Sequence, residues 1–375
     1  MQFPIIHGRH SRPPQWRGRQ FTQSFEADTL RHVPGKPPNP MSVSPERLEA
    51  LRRFAAHALS DDAVRPEPAS ADASFRSYWR LASRGRTFIV MNAPPDKEDI
   101  APWLGIAKRL RDAQLHAPEV YAIDRAQGFV LMSDLGTRQY LPELHYESAP
   151  ALYADALDAL CRMQVLIDAN GLPHYDETRL IAELELLPEW FIKRHLGGAL
   201  SCDETEMLER TFRLLVNSAL EQPQVFVHRD YHSRNLMITD DNSPGIVDFQ
   251  DAVRGPVTYD LVSLLRDCYI EWPPQDVNAW ATAHRDRLVD AGVLRPGELR
   301  WKRWFDWMGL QRHLKVLGIF CRLWYRDGKD GYLKDLPLTL KYALDVAQRY
   351  KDLAPFGQWL KTKIGARDIT VPRAA

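Results

Sequence analysis

The sequence predicts an α+β protein built as two lobes, a small strand-rich one followed by a large helical one. Three observations carry that expectation. Residues 70–135 read mostly as short strands with one helix among them. From residue 150 onward, helical periodicity dominates. One strand-rich island, 224–250, interrupts those helices. The length agrees, since 375 residues exceed the roughly 100–200 of one typical domain. Hydrophobic content of 45% beside 26% charged residues describes a globular chain able to bury a large core.

Residues 1–40 hold seven of the 27 prolines and six basic against two acidic side chains, with no apolar periodicity. They read as a disordered extension, with Met41 as the expected true start. Ser44 and Pro45 then open a helix carrying Leu48, Leu51, Phe54, Ala55 and Ala58 on one face. Strands follow over 75–81 and 87–91 around a turn at 82–86, then a helix over 99–115, then strands over 120–123 and 128–132. Helices are expected over 150–169, 178–196, 203–221, 256–270, 275–291, 301–324 and 337–363.

Composition excludes several classes of function. With 49 basic and 49 acidic side chains, the chain has no global attraction to nucleic acid or an anionic membrane. No apolar run approaches the ~18–20 residues of a membrane span, and no signal-peptide core precedes residue 41. Cys161, Cys202, Cys268 and Cys321 are scattered without metal-site spacing, as expected of reduced thiols in a cytoplasmic protein.

The chemistry lies in the island. An apolar strand ending at Val227 delivers His228 and Asp230 to a loop, and Asn235 follows five residues after Asp230. Apolar segments at 236–239 and 246–249 flank a turn-rich stretch and form a hairpin that returns Asp248 beside Asn235. Two carboxylates and an amide oxygen gathered at one place suit phosphoryl transfer. Magnesium takes hard oxygen ligands and is held by one or two protein groups plus substrate phosphates. Asn235 and Asp248 supply those ligands, Asp230 orients a hydroxyl and accepts its proton, and His228 braces the loop.

His228-Arg229-Asp230-Tyr231-His232-Ser233-Arg234-Asn235, with Ile246-Val247-Asp248-Phe249-Gln250-Asp251, resembles the catalytic and metal motifs of aminoglycoside phosphotransferase-type kinases, relatives of the protein kinases. The resemblance spans most of residues 44–365. Four further strings fall at 72–80, 90–99, 255–261 and 311–318. They are similar to the branch of that family that phosphorylates bacterial cell-wall amino sugars, N-acetylmuramate and N-acetylglucosamine, at the anomeric hydroxyl.

The resemblance implies a protein-kinase-like fold, with residues 41–135 as the nucleotide-covering lobe, 136–365 as the catalytic and acceptor-binding lobe, and 366–375 as a tail. It implies ATP and Mg2+ as cofactors and an amino sugar as substrate, with oligomeric state left open. Asp230 becomes the catalytic aspartate, and Asn235 and Asp248 the metal ligands. Ser74, Phe75 and Arg76 fall where a hairpin covers the phosphates, and Ser133, Asp134 and Leu135 at the hinge that meets adenine.

Two departures qualify this expectation. The strand before the 99–115 helix has Met91 near the position where a kinase lysine is expected, and that helix has no glutamate. The hairpin also lacks the glycine-rich pattern, and Arg76, Arg80 and Lys97 are the candidates to supply the charge of the missing lysine. Another small-molecule hydroxyl kinase, of antibiotic or choline type, and a regulatory pseudokinase stay open as alternatives. For the acceptor, Gln311, Arg312 and Lys315 share one face of the 301–324 helix, with Trp304 or Trp307 as a stacking surface and Glu183 and Glu185 as further candidates.

Overall fold

Helix α1 (Pro45–Leu59) begins where the sequence places it: the Ser44 side chain accepts the Arg47 amide, and Pro45 takes the first helical position. The computed structural model describes residues 43–71 and 75–373, so the expectations for 1–40 and for Ser74 lie outside the described residues. After α1 come strands β1 (Glu67–Ala71), β2 (Ser77–Ser83) and β3 (Arg86–Asn92), helix α2 (Ala101–Asp112), and strands β4 (Val120–Asp124) and β5 (Phe129–Ser133). The five strands form one antiparallel sheet in the order β1-β2-β3-β5-β4.

Alternation along the strands gives this sheet two working faces. Trp79, Leu81, Phe88, Val90, Phe129 and Leu131 pack with Leu51 and Ala55 of α1 in a small core. Met91, Val130 and Met132 point the other way, into the main core with Trp103, Ile106 and Leu110 of α2. The β2–β3 turn is tighter than the expected 82–86. Arg84 and Gly85 make it alone, with φ of 49° and 75°, the left-handed pair whose twist matches a hairpin. Strand β1 was not foreseen, because Pro68 and its small neighbours show no apolar alternation. It survives at the sheet edge, with its ladder to β2 broken between Pro68 and Ser70.

The rest of the chain is mainly helical. Helices α3 (Tyr140–Glu143), α4 (Ala149–Leu166) and α5 (Glu177–Leu184) precede a π-helical stretch (Leu187–His195) and α6 (Cys202–Leu220). The island holds β6 (Gln224–Val227), β7 (Leu236–Met237), β8 (Gly245–Ile246) and β9 (Val253–Pro256). Then come α7 (Tyr259–Leu265), α8 (Pro274–Asp290), α9 (Glu298–Tyr325), a 3-10 turn (Leu333–Asp335), α10 (Leu336–Arg349) and α11 (Ala354–Ile364).

Prolines account for two corrections to the expected helices. The 178–196 pattern stays right-handed helical, but its hydrogen bonding changes from α to π at Leu187, next to Pro188. The 337–363 pattern breaks where Tyr350 turns extended, and Pro355 opens α11. The 256–270 pattern shrinks to α7 because β9 takes residues before it to pair with β6.

Helix α9 is the axis of the helical part, buried along most of its length. Gly318 lets it press against the chain entering the π-helical stretch: a Cβ there would lie 2.4 Å from the Leu186 carbonyl. Asp306 of α9, fully buried, accepts hydrogen bonds from Arg266 at 2.5 Å and from Arg349 and Tyr350 at 2.8 Å each. This ties α9 to the end of α7 and to α10. Among the described residues no helix is long and apolar enough to cross a membrane.

Candidate active site

Strand β6 buries Val225, Phe226 and Val227, and its pairing with β9 fixes where the chain leaves the sheet. The next two amides, of His228 and Arg229, donate to the two oxygens of Asp260 at 2.7 and 3.0 Å. Asp260 is fully buried at the start of α7, and burial pushes its carboxyl up to about 7 against the pull of those two amides. This anchor holds Arg229 at φ 77°, a left-handed conformation that an arginine rarely adopts, and so sets the course of the loop. His228 is fully buried, its Nδ1 accepts the Asp230 amide at 3.3 Å, and burial pushes its ring down to about 4. It is neutral at pH 7 and braces the loop, as the sequence suggests.

Asn235 closes the loop. Its Nδ2 donates to the Asp230 carbonyl at 3.0 Å and to Asp248 Oδ2 at 3.2 Å. The β7–β8 ladder is shorter than expected, only Leu236↔Ile246 and Met237↔Gly245. The return still works, because the Val247 amide donates to the Asn235 carbonyl at 3.2 Å. Asp248, at φ 64°, also accepts Gln250 Nε2 at 2.8 Å.

With the Asn235 nitrogen committed to two acceptors, its oxygen and the Asp248 carboxylate form a hard-oxygen pair that fits Mg2+. Among the described residues no cluster of three or more His, Cys, Asp or Glu forms a metal cage.

Asp230 faces a cavity of about 140 Å³. His232, Tyr259, Arg312 and Lys315 line its polar end, and Val316, Ile319, Phe320, Leu323, Tyr269 and Tyr332 the remainder. Burial would raise the Asp230 carboxyl, yet Lys315, His232, Arg229 and Arg312 together hold it below the ordinary value. Asp230 is thus an ionised acceptor at neutral pH.

Of the three expected acceptor contacts, Arg312 and Lys315 line this cavity and Gln311 does not. Gln311 is fully buried and donates to Glu183 Oε2 at 3.4 Å. Trp304 and Trp307 do not line it either. Trp304 donates to Glu221 at 2.6 Å, and Trp307 packs edge-on against Tyr350, both on the other side of α9. The aromatic surface is made instead by Tyr269, Phe320 and Tyr332, whose rings lie 5.3 to 6.2 Å apart along the wall.

Glu183, a minor candidate in the sequence, proves central. It accepts Arg229 at 2.7 Å, Lys315 at 2.9 Å and the Tyr175 hydroxyl. Burial opposes its charge, but Lys315 and Arg229 hold its carboxyl below the usual range. Sequence spacing could not find this hub, because Glu183 lies on α5 while its partners come from the segment before α5, the loop after β6, and α9.

The residues expected to meet the nucleotide lie in several different settings. Phe75 is exposed, and its amide donates to Glu98 at 3.2 Å, a contact that no motif suggested. Arg80 clamps Asp134 with two hydrogen bonds of 2.6 and 3.0 Å and reaches the Gly136 carbonyl. Ser133 engages Glu119 through its amide and its hydroxyl, and Leu135 is buried beside β8. Lys97 is exposed beside Asp96, whereas Arg76 is 7% exposed just before β2. Strand alternation puts Arg76 in phase with Tyr78, which packs on the main core.

Residues 65–296 match the model of the phosphotransferase enzyme family. A Pseudomonas aeruginosa protein called N-acetylmuramate/N-acetylglucosamine kinase is 46% identical over 78% of this chain and 87% of its own length. A protein of that name from Pseudomonas putida is 43% identical over 80% of this chain and 88% of its own. The ADP-bound crystal structure of aminoglycoside phosphotransferase APH(2'')-Ib superposes with a TM-score of 0.54 at 16% identity, covering 81% of this chain and 99% of that one. The protein-kinase-like fold expected from the motifs is therefore the fold found. The chain belongs to the phosphotransferase enzyme family.

Proposed function

We propose that this phosphotransferase-family chain transfers the γ-phosphoryl group of ATP to the anomeric hydroxyl of N-acetylmuramate, and also of N-acetylglucosamine, in the cytoplasmic recycling of cell-wall sugars. One observation carries the reading: an ionised Asp230 faces a cavity beside the Asn235–Asp248 pair. The names of the relatives at 46% and 43% identity supply the acceptor.

In this reading the sugar hydroxyl lies against Asp230 and attacks the γ-phosphorus in line. The new bond joins the anomeric oxygen to phosphorus, the bond from phosphorus to the ADP oxygen breaks, and the hydroxyl proton passes to Asp230. An anomeric hydroxyl is more acidic than an ordinary alcohol, so orientation carries much of the rate. Arg312 and Lys315 keep Asp230 ionised and donate to the sugar. Mg2+ held by Asn235 and Asp248 would neutralise charge on the phosphates. Arg76 supplies the cation that the β3 strand lacks, Phe75 lies beside the phosphates, and Asp134 and Leu135 with Ser133 form the adenine hinge.

The test is a panel of amino sugars, aminoglycosides and choline with labelled ATP, and phosphorus NMR of each product. A 1-phosphate on N-acetylmuramate and N-acetylglucosamine is the expected result. Phosphate on an antibiotic or choline instead would reassign the acceptor. Nucleotide binding with no product from any compound would mark a pseudokinase.

A further inference from the structure

Arg234 stands one residue before Asn235, and its side chain reaches two tyrosines. Its guanidinium lies 3.6 Å from the ring centroid of Tyr269 and 5.8 Å from that of Tyr332, both walls of the acceptor cavity. Backbone contacts hold the residue in place: its carbonyl accepts Gln139 Nε2 at 3.0 Å. No carboxylate among the described residues lies within salt-bridge distance of it. Its charge is felt by Asp335, whose carboxyl burial raises and Arg234 lowers.

A planar cation stacked on aromatic faces, with its N–H fork not spent on a protein acid, is prepared for a planar anion. The cations at the other end of the cavity are differently employed. Lys315 is bound to Glu183 at 2.9 Å, and Arg312 and Lys315 both act on Asp230. They serve the reacting hydroxyl, whereas Arg234 serves the tyrosine wall.

Resting on the sugar-kinase reading, we infer that Arg234 binds the carboxylate of an acid-bearing sugar and thereby sets the preference for N-acetylmuramate over N-acetylglucosamine, which lacks that acid. The two sugars share the anomeric centre and the acetamido group, so they meet the same reacting end. Only the lactyl acid of N-acetylmuramate extends to the tyrosine wall. Arg234 is accordingly a specificity residue, and its effect falls on one substrate and not on the chemical step.

The experiment measures kcat/KM on both sugars for wild type, Arg234→Met and Arg234→Lys, with melting temperatures to verify folding. In Arg234→Met the ratio of N-acetylmuramate to N-acetylglucosamine values falls about 10- to 100-fold, the range for losing one charge-assisted hydrogen-bonded pair. The loss falls mainly on KM. Arg234→Lys recovers only part of it, since an ammonium lacks the bidentate fork. Arg312→Met, acting at the reacting end, lowers both sugars together.

The methyl ester of N-acetylmuramate gives a second measurement that needs no variant. Wild type must prefer the acid to the ester, and Arg234→Met must lose that preference. Equal losses on both sugars, or an acid preference that persists in Arg234→Met, would overturn the assignment. A wild type that phosphorylates neither sugar would instead remove the kinase reading on which it rests.

Discussion

The Lys315 ammonium lies 2.9 Å from Glu183 Oε1, joining α9 to α5. The same oxygen accepts Arg229 at 2.7 Å, so one carboxylate balances two cations that both act on Asp230. All three side chains are largely buried, with 10% to 21% of each exposed.

Replacing that carboxylate leaves two buried cations without compensation. Breaking such a pair costs about 3–5 kcal/mol when one partner is removed. Glu183→Gln keeps the side-chain shape and is expected to lower the unfolding free energy by about that amount in urea titrations. An unchanged midpoint would mean that Lys315 and Arg229 find other partners or water.

The proposed metal role of Asn235 and Asp248 predicts unequal losses. Asp248→Asn removes the only charge of the pair and should abolish Mg2+-dependent turnover while the melting temperature holds. Asn235→Ala should be severe but less complete, because water can replace a neutral ligand. It also removes the bonds to the Asp230 carbonyl and to Asp248, so a lower melting temperature is expected for this variant. Chelation by EDTA should stop turnover, and added Mg2+ should restore it. Near-normal turnover in Asp248→Asn would strip that residue of its role.

Asp230→Asn keeps the shape and loses the proton acceptor. Turnover should fall about 10²- to 10⁴-fold, the span typical of a general base, with nucleotide affinity by calorimetry nearly unchanged. The neighbouring cations hold the Asp230 carboxyl below its ordinary value of 3.8, so its ionisation contributes no acid limb to turnover between pH 8 and 6. A titration in that interval that disappears in Asp230→Asn would contradict this electrostatic account.

Three buried histidines predict acid sensitivity of the fold itself. Burial pushes His228 down to about 4, and His284 and His313 each to about 3, from an ordinary value of 6.5. His284 Nε2 lies 3.0 Å from Gln164 Oε1 and His313 Nε2 3.0 Å from the Arg266 carbonyl, partners suited to neutral rings. The unfolded chain takes up protons first as pH falls below 6.5, so stability is full above that pH and declines toward 4 and 3. By pH 5 each ring should cost about 2 kcal/mol. Urea midpoints at pH 7 and pH 5 measure the loss, and equal midpoints would show that the rings charge in place.

What the sequence determined by itself was local. Ser44 and Pro45 announce α1, and the spacing of Asp230, Asn235 and Asp248 announces the site, because each depends on neighbours a few residues away or across one short hairpin. Strand alternation and helical period likewise revealed most elements. Strands β1 and β9 escaped, since Pro68 and Gly255 carry no periodic signal and pairing alone makes their residues strands.

The tertiary structure alone decided which charges meet. Asp260 bracing His228 and Arg229 joins positions 31 and 32 residues apart, and Glu183 reaching Lys315 spans 132. The aromatic side of the cavity beside Asp230 is likewise made by Tyr269, Phe320 and Tyr332, and not by Trp304 or Trp307. A helix as buried as α9 has apolar residues all round, so its period cannot say which face lines a cavity. Packing chooses that face: Gly318 presses α9 against Leu186, and Asp306 binds it to Arg266 and Arg349.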